Sequence, residues 1–164
     1  MKSLRIAVST LVMLAFCSTL TLAAPDSQKG FDQLKTLAGN WAGKAGDRPI
    51  QVEFRVTSGG SAIMSEIKTD EDMISMFHLD RDRLMMTHYC GAGNQPRMVG
   101  TVSADGKTFT FDFLDATNLS SPDTGHMHRL VLTMVDANHH TEDWSFATGK
   151  GEDMREHFDL VRQK

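Results

Sequence analysis

Thr108-Phe109-Thr110-Phe111-Asp112-Phe113 alternates polar and apolar side chains without a break. A period of two puts the three phenylalanines on one face of a β-strand and their polar neighbours on the other. Asp105-Gly106, just before it, is a tight-turn dipeptide of the kind that joins antiparallel strands. The stretch therefore reads as one arm of a hairpin with a single buried face.

The same period recurs on both sides. It predicts strands near 40–45, 50–57, 61–68, 72–79, 83–90, 96–103, 107–115, 126–135, 139–147 and 153–162. Turn chemistry separates them: Gly59-Gly60, Asp80-Arg81-Asp82, Gly91-Ala92-Gly93-Asn94, Asp136-Ala137-Asn138 and Gly149-Lys150-Gly151. Before the first strand, Phe31, Leu34, Leu37 and Ala38 recur at helical spacing, which predicts a short helix over about 30–38 ending at Gly39. Ten short strands with no helix between them make a sandwich or a barrel.

The start of the chain predicts export. Lys2 and Arg5 precede an apolar run from Ile6 to Leu22, and Ala23-Ala24-Pro25 follows. That order is the pattern of a secretory signal over 1–24, leaving a single domain over 25–164. Its loss takes the formal charge from −4 to −6, which argues against nucleic acid as a partner. No later run is apolar for long enough to span a membrane as a helix. Cys90 is then the one cysteine left, so the domain holds no internal disulfide and depends on its apolar core.

Ala38-Gly39-Asn40-Trp41 resembles the Gly-x-Trp start of lipocalin-type (calycin) barrels, placed as there between a short helix and the first strand. The resemblance covers most of the domain by architecture. It implies a single antiparallel up-and-down barrel of about ten strands, with Trp41 closing one end against a basic residue of the final strand. Arg162 has the parity for that role, shared with Phe158 and Leu160. The stretches His88–Met98 and Asp112–His128 also resemble uncharacterised secreted bacterial proteins, a likeness that carries no activity. The strand count is similar to that of nitrobindin-like haem barrels, whose ligand is a histidine on the last strand. Here alternation turns His157 outward, a departure from that pattern, and the sequence specifies no cofactor.

Facing follows from the turn at Arg81-Asp82, which pairs Leu79 with Leu84, Phe77 with Met86, Ser75 with His88 and Met73 with Cys90. This face is the expected interior. Parity along 126–135 turns Leu130, Leu132 and Met134 inward and carries His128, and with it His126, the same way. Along 139–147 it turns Trp144, Glu142 and His140 inward, and Glu156 follows on the last strand. Asn94 and Gln95, after the glycines at 91 and 93, could offer amides at a mouth. The expected ligand contacts are therefore Ser75, Phe77, Met86, His88, Cys90, Asn94, Gln95, Phe111, His128, Glu142 and Trp144. Asp115–Gly125, the one long connection, is expected as a lid, with Asp115, Asn118 and Asp123 as polar contacts. Asn118-Leu119-Ser120 also matches a glycosylation acceptor.

Three functions fit this set. The leading one is binding or carriage of a small, largely apolar molecule inside the barrel, oriented by a few polar groups. The second is a metal-binding or catalytic barrel using His88, Cys90, His128 and Glu142, with Zn²⁺ or copper on His88-x-Cys90 and His126-x-His128, or Cys90 as nucleophile. The third is an interaction module with a filled interior and an outer docking face of Met76, Met85 and Tyr89. No phosphate loop, serine elbow or HExxH is present.

Overall fold

The computed structural model describes residues 26–69, 71–121 and 123–164. The expected signal segment lies outside them. Helix α1 (Asp26–Lys35) leads into ten strands: β1 (Gly39–Ala45), β2 (Arg48–Thr57), β3 (Ala62–Lys68), β4 (Met73–Asp80), β5 (Arg83–Tyr89), β6 (Gln95–Val102), β7 (Thr108–Thr117), β8 (His126–Asp136), β9 (His139–Ala147) and β10 (Met154–Arg162). Each strand pairs antiparallel with its chain neighbours, and β1 pairs with β10, so the sheet closes into an up-and-down barrel. Closure removes both free edges, which a single open sheet would leave exposed to another chain.

The helix starts four residues earlier than the apolar spacing predicts. Asp26 supplies a carboxylate in its first turn, where the helix dipole favours negative charge. Its end tightens instead of continuing: Thr36, Leu37 and Ala38 donate backbone N–H bonds to carbonyls three residues back. Phe31, Leu34 and Leu37 are all buried, as the spacing predicts, whereas Ala38, the last member of the expected stripe, is exposed.

The β4–β5 register is as expected, with Ser75 opposite His88, Phe77 opposite Met86 and Leu79 opposite Leu84. The pairing stops at Ile74–Tyr89, so Cys90 falls just beyond the ladder. Three β-bulges interrupt the period elsewhere. They add Leu114 on β7 against β6, and His128 and Val135 on β8 against β9. Leu114 and Val135 are consequently exposed, at 45% and 47%, although their strands bury apolar neighbours.

The two ends of the barrel differ. At one, α1 packs against β4, β5 and β6, and Trp41 is buried beneath the guanidinium of Arg162, 4.2 Å from the ring centroid. Arg162 also donates to the carbonyls of Thr36, Ala38 and Ala137, so one side chain ties the helix exit, β1 and the β8–β9 turn together. Trp41 Nε1 donates to Leu37 O at 2.8 Å. Above this plug, Phe54, Phe77, Phe109, Phe111, Met86 and Met98 fill the middle of the barrel. The opposite end is formed by the start of β2, β4, β8 and β10 and the end of β3, β5 and β9, and it is open.

At Gly43 the backbones of β1 and β10 leave no room for a side chain. A Cβ there would lie 1.7 Å from the backbone oxygen of Asp159, a group that cannot rotate aside. Gly43→Ala is expected to lower stability by about 2 kcal/mol, read as a shift in urea midpoint. An unchanged midpoint would mean that this seam is looser than its geometry.

Candidate functional site

The open end holds two adjoining cavities of about 380 and 390 Å³ that share Glu71, Met73, Met127, Trp144 and Glu156. The inner one adds Arg48, Ile50, Ile67, His88 and Phe158. The outer one adds Cys90, Gly91, Phe146 and Met154. Together they form a mouth with an apolar, sulfur-rich wall and a charged rim. Glu156 at the rim is paired with Arg48 at 3.0 Å, and both side chains are exposed. Among the mouth-lining residues Arg48 is the one cation, and it already has this partner.

His88 is the polar group of the inner wall. It is fully buried, stands 5.1 Å from Trp144 between ring centroids, and has its Nδ1 2.9 Å from Ser75 Oγ. Ser75 can hold it because the register sets the two residues directly opposite. Nε2 has no hydrogen-bond partner among the described residues. Burial lowers the pKa of this imidazole from 6.5 to about 4, because a charge there would lose its water. His88 is therefore neutral at pH 7, with Nδ1 held by Ser75 and Nε2 buried without a partner among the described residues.

A second polar group sits deeper. Glu142 is buried and accepts a bond from Trp144 Nε1 at 2.9 Å, and its other oxygen lies 3.2 Å from His140 Nε2. His140 in turn stands edge-on to Trp41 and to Phe54. Glu142 thus orients Trp144 in the mouth wall from behind, with the plug on its far side.

The other expected contacts divide by place. His88 and Trp144 meet at the inner wall, Ser75 bonds His88 without itself lining the cavity, and Cys90 lies half-buried at the rim. Phe77, Met86 and Phe111 are packed in the filled middle and do not line the mouth. Asn94 is buried but serves the loops, donating to Gly125 O at 2.8 Å. Gln95 accepts from Thr117 Oγ1 and from Asn118 Nδ2. These bonds stitch the 90–95 turn to the 118–125 connection, none of whose described residues lines the mouth. The expected lid is instead a brace beside it, with Asp115 turned outward to Arg97.

His128 corrects the parity argument. It is the extra residue of the β8 bulge, so Met127 takes the inward place and His128 lies on the outside, 3.0 Å from Asp153. Alternation cannot reveal a bulge, because one inserted residue inverts every assignment beyond it. His126 is buried against Phe113 with its Nδ1 2.8 Å from Thr124 O. His157 is exposed and paired with Asp143. Sequence reasoning missed Met127 for the same bulge, and missed Glu71, which lies on a turn where no period operates.

The four groups of the metal or catalytic alternative do not converge. His88 is on the inner wall, Cys90 on the rim, Glu142 behind Trp144 and His128 outside. Among the described residues no three His, Cys, Asp or Glu side chains cluster closely enough to hold a metal ion. On the proposed docking face, Met85 is buried and Tyr89 exposed. No helix among the described residues is long and apolar enough to cross a membrane. No protein-family model matches the chain, and no curated protein matches it in sequence.

Proposed function

We propose that this chain is an exported, lipocalin-like binding or carrier protein that holds a small, largely apolar molecule in the open mouth of its barrel. One observation carries the reading: a buried imidazole in an otherwise apolar wall, with Ser75 fixing one nitrogen and the other left without a partner. A buried polar atom without a partner costs about 1–3 kcal/mol, and a guest that bonds to it recovers part of that. Cavities of this size, mainly apolar with one or two placed polar groups, suit small ligands. Met73, Met127 and Met154 give a wall that adapts to an irregular guest. Lys2, Arg5, the apolar run after them and Ala23-Ala24 support export.

The test is native mass spectrometry of the protein recovered from a secreting host, beside a denatured control. The expected result is a polypeptide lacking about the first 24 residues, carrying extra mass that denaturation removes. A bare mass that stays unchanged after incubation with a lipid extract would overturn the carrier reading. A full-length polypeptide would overturn export.

A further inference from the structure

We propose that the guest of this mouth is a neutral amphiphile that enters polar end first, placing a hydroxyl-like group against His88 Nε2 and its apolar body along Met73, Met127, Trp144 and Phe158. The inference rests on the mouth being a ligand site and adds the chemical class and orientation of the ligand.

Orientation follows from where the unmet polar atom lies. Nε2 of His88 is buried at the inner wall with no partner among the described residues and essentially no accessible surface. A guest therefore reaches it only by entering fully and displacing adaptable wall side chains such as Met73 and Met127. The wall above it is mostly thioether, indole and phenyl surface, with Arg48, Thr69, Glu71 and Glu156 as its polar members, and it rewards an apolar body.

Charge follows from what is absent around that atom and what is present at the rim. A carboxylate driven to the inner wall would meet an imidazole that burial keeps neutral, and would be desolvated with no cation beside it. Arg48, exposed at the rim, already has Glu156 as its partner, and Glu71 and Glu156 together make the rim carboxylate-rich. An ammonium group fares no better at the inner wall, for the same desolvation reason. A hydroxyl suits either tautomer of His88. If Ser75 donates to Nδ1, Nε2–H donates to the guest; if Nδ1–H donates to Ser75, Nε2 accepts from it. A hydroxyl can answer both.

The probes are 1-octanol and octanoate, which share a chain and differ in the charge of the head. Each is titrated at pH 7.4 into the wild-type protein, His88→Leu and His88→Gln, with Trp fluorescence and calorimetry as readouts. Octanol is expected to bind at least about tenfold more tightly than octanoate. His88→Leu should erase that preference by weakening octanol about tenfold. His88→Gln, which keeps a neutral donor and acceptor, should retain most of it. Octanoate binding as tightly as octanol, or octanol binding undiminished in a folded His88→Leu, would overturn the inference and leave the mouth as a ligand site. Binding of neither probe would overturn the ligand-site reading and this inference with it.

Discussion

Trp41→Ala is expected to lower the unfolding free energy by about 3–5 kcal/mol, the largest loss from any single truncation in this barrel. Three separate contributions vanish with the indole. The first is packing: Trp41 is 1% exposed and is among the largest fully buried side chains. The second is its stack with Arg162, whose guanidinium carbon sits 4.2 Å from the ring centroid in a partly desolvated position. The third is the Nε1–H bond to Leu37 O, which fixes the exit of α1 to the first strand. Removing the ring leaves a cavity beneath Arg162, and the buried edge of His140 loses its partner at 4.3 Å. Urea unfolding monitored by far-UV circular dichroism measures the effect, and Trp41→Phe should recover more than half of it. Trp41→Phe keeps an aromatic ring beside His140, so the His140–Glu142–Trp144 chain that reaches the mouth is preserved and octanol affinity should stay within about twofold of wild type. A loss under about 1 kcal/mol for the alanine variant would show that the end is not closed by this residue.

That closure was legible in the sequence, and its legibility has a physical source. A plug needs a large flat ring at the start of one strand and a cation of matching parity at the end of its partner, and both constraints leave marks at fixed positions. The Trp41–Arg162 pairing in the β1–β10 register is the result. The strands were legible for a related reason. Burial on one face imposes a period of two, and turns demand Gly, Asn or Asp, so Asp105-Gly106 and Thr108–Phe113 announce themselves. The β4–β5 register followed from one turn, and it delivered the Ser75–His88 pair that the candidate site depends on.

The mouth was less legible, because openness is not a property of any residue. Phe77, Met86 and Phe111 face inward as expected and are simply packed by one another. Whether an inward residue meets its neighbours or a void depends on the summed volume across strands that sequence order does not bring together. His128 failed for another reason. Nothing in His126-Met127-His128-Arg129 distinguishes a bulged strand from a regular one, and the bulge alone decides that Met127 reaches the cavity while His128 pairs with Asp153. The brace made by Asn94, Gln95 and Asn118 depends on two loops meeting, which no local pattern encodes.

The neutral state of His88 makes a second prediction that does not require any ligand. Its pKa is about 4 in the folded protein, lowered by burial, and near 6.5 once the chain unfolds and the ring is hydrated. Above pH 6.5 the ring is neutral in both states, and its burial carries no penalty from ionisation. As pH falls below 6.5 the unfolded chain takes up a proton that the folded one refuses, so stability declines. By pH 4 the decline is nearly complete, at about 3 kcal/mol. The protein has six other histidines, several of them paired with exposed aspartates. The measurement is therefore a difference: urea unfolding of wild type and His88→Gln at steps from pH 7.5 to 4, with the other six common to both. Wild type is expected to lose about 3 kcal/mol more than the variant over that range, most of it between pH 6 and 4. Parallel curves would mean that the ring takes up a proton as readily inside the barrel as in water. In that case the inner wall would be wet, and the argument for a neutral guest that replaces missing water at Nε2 would fall with it.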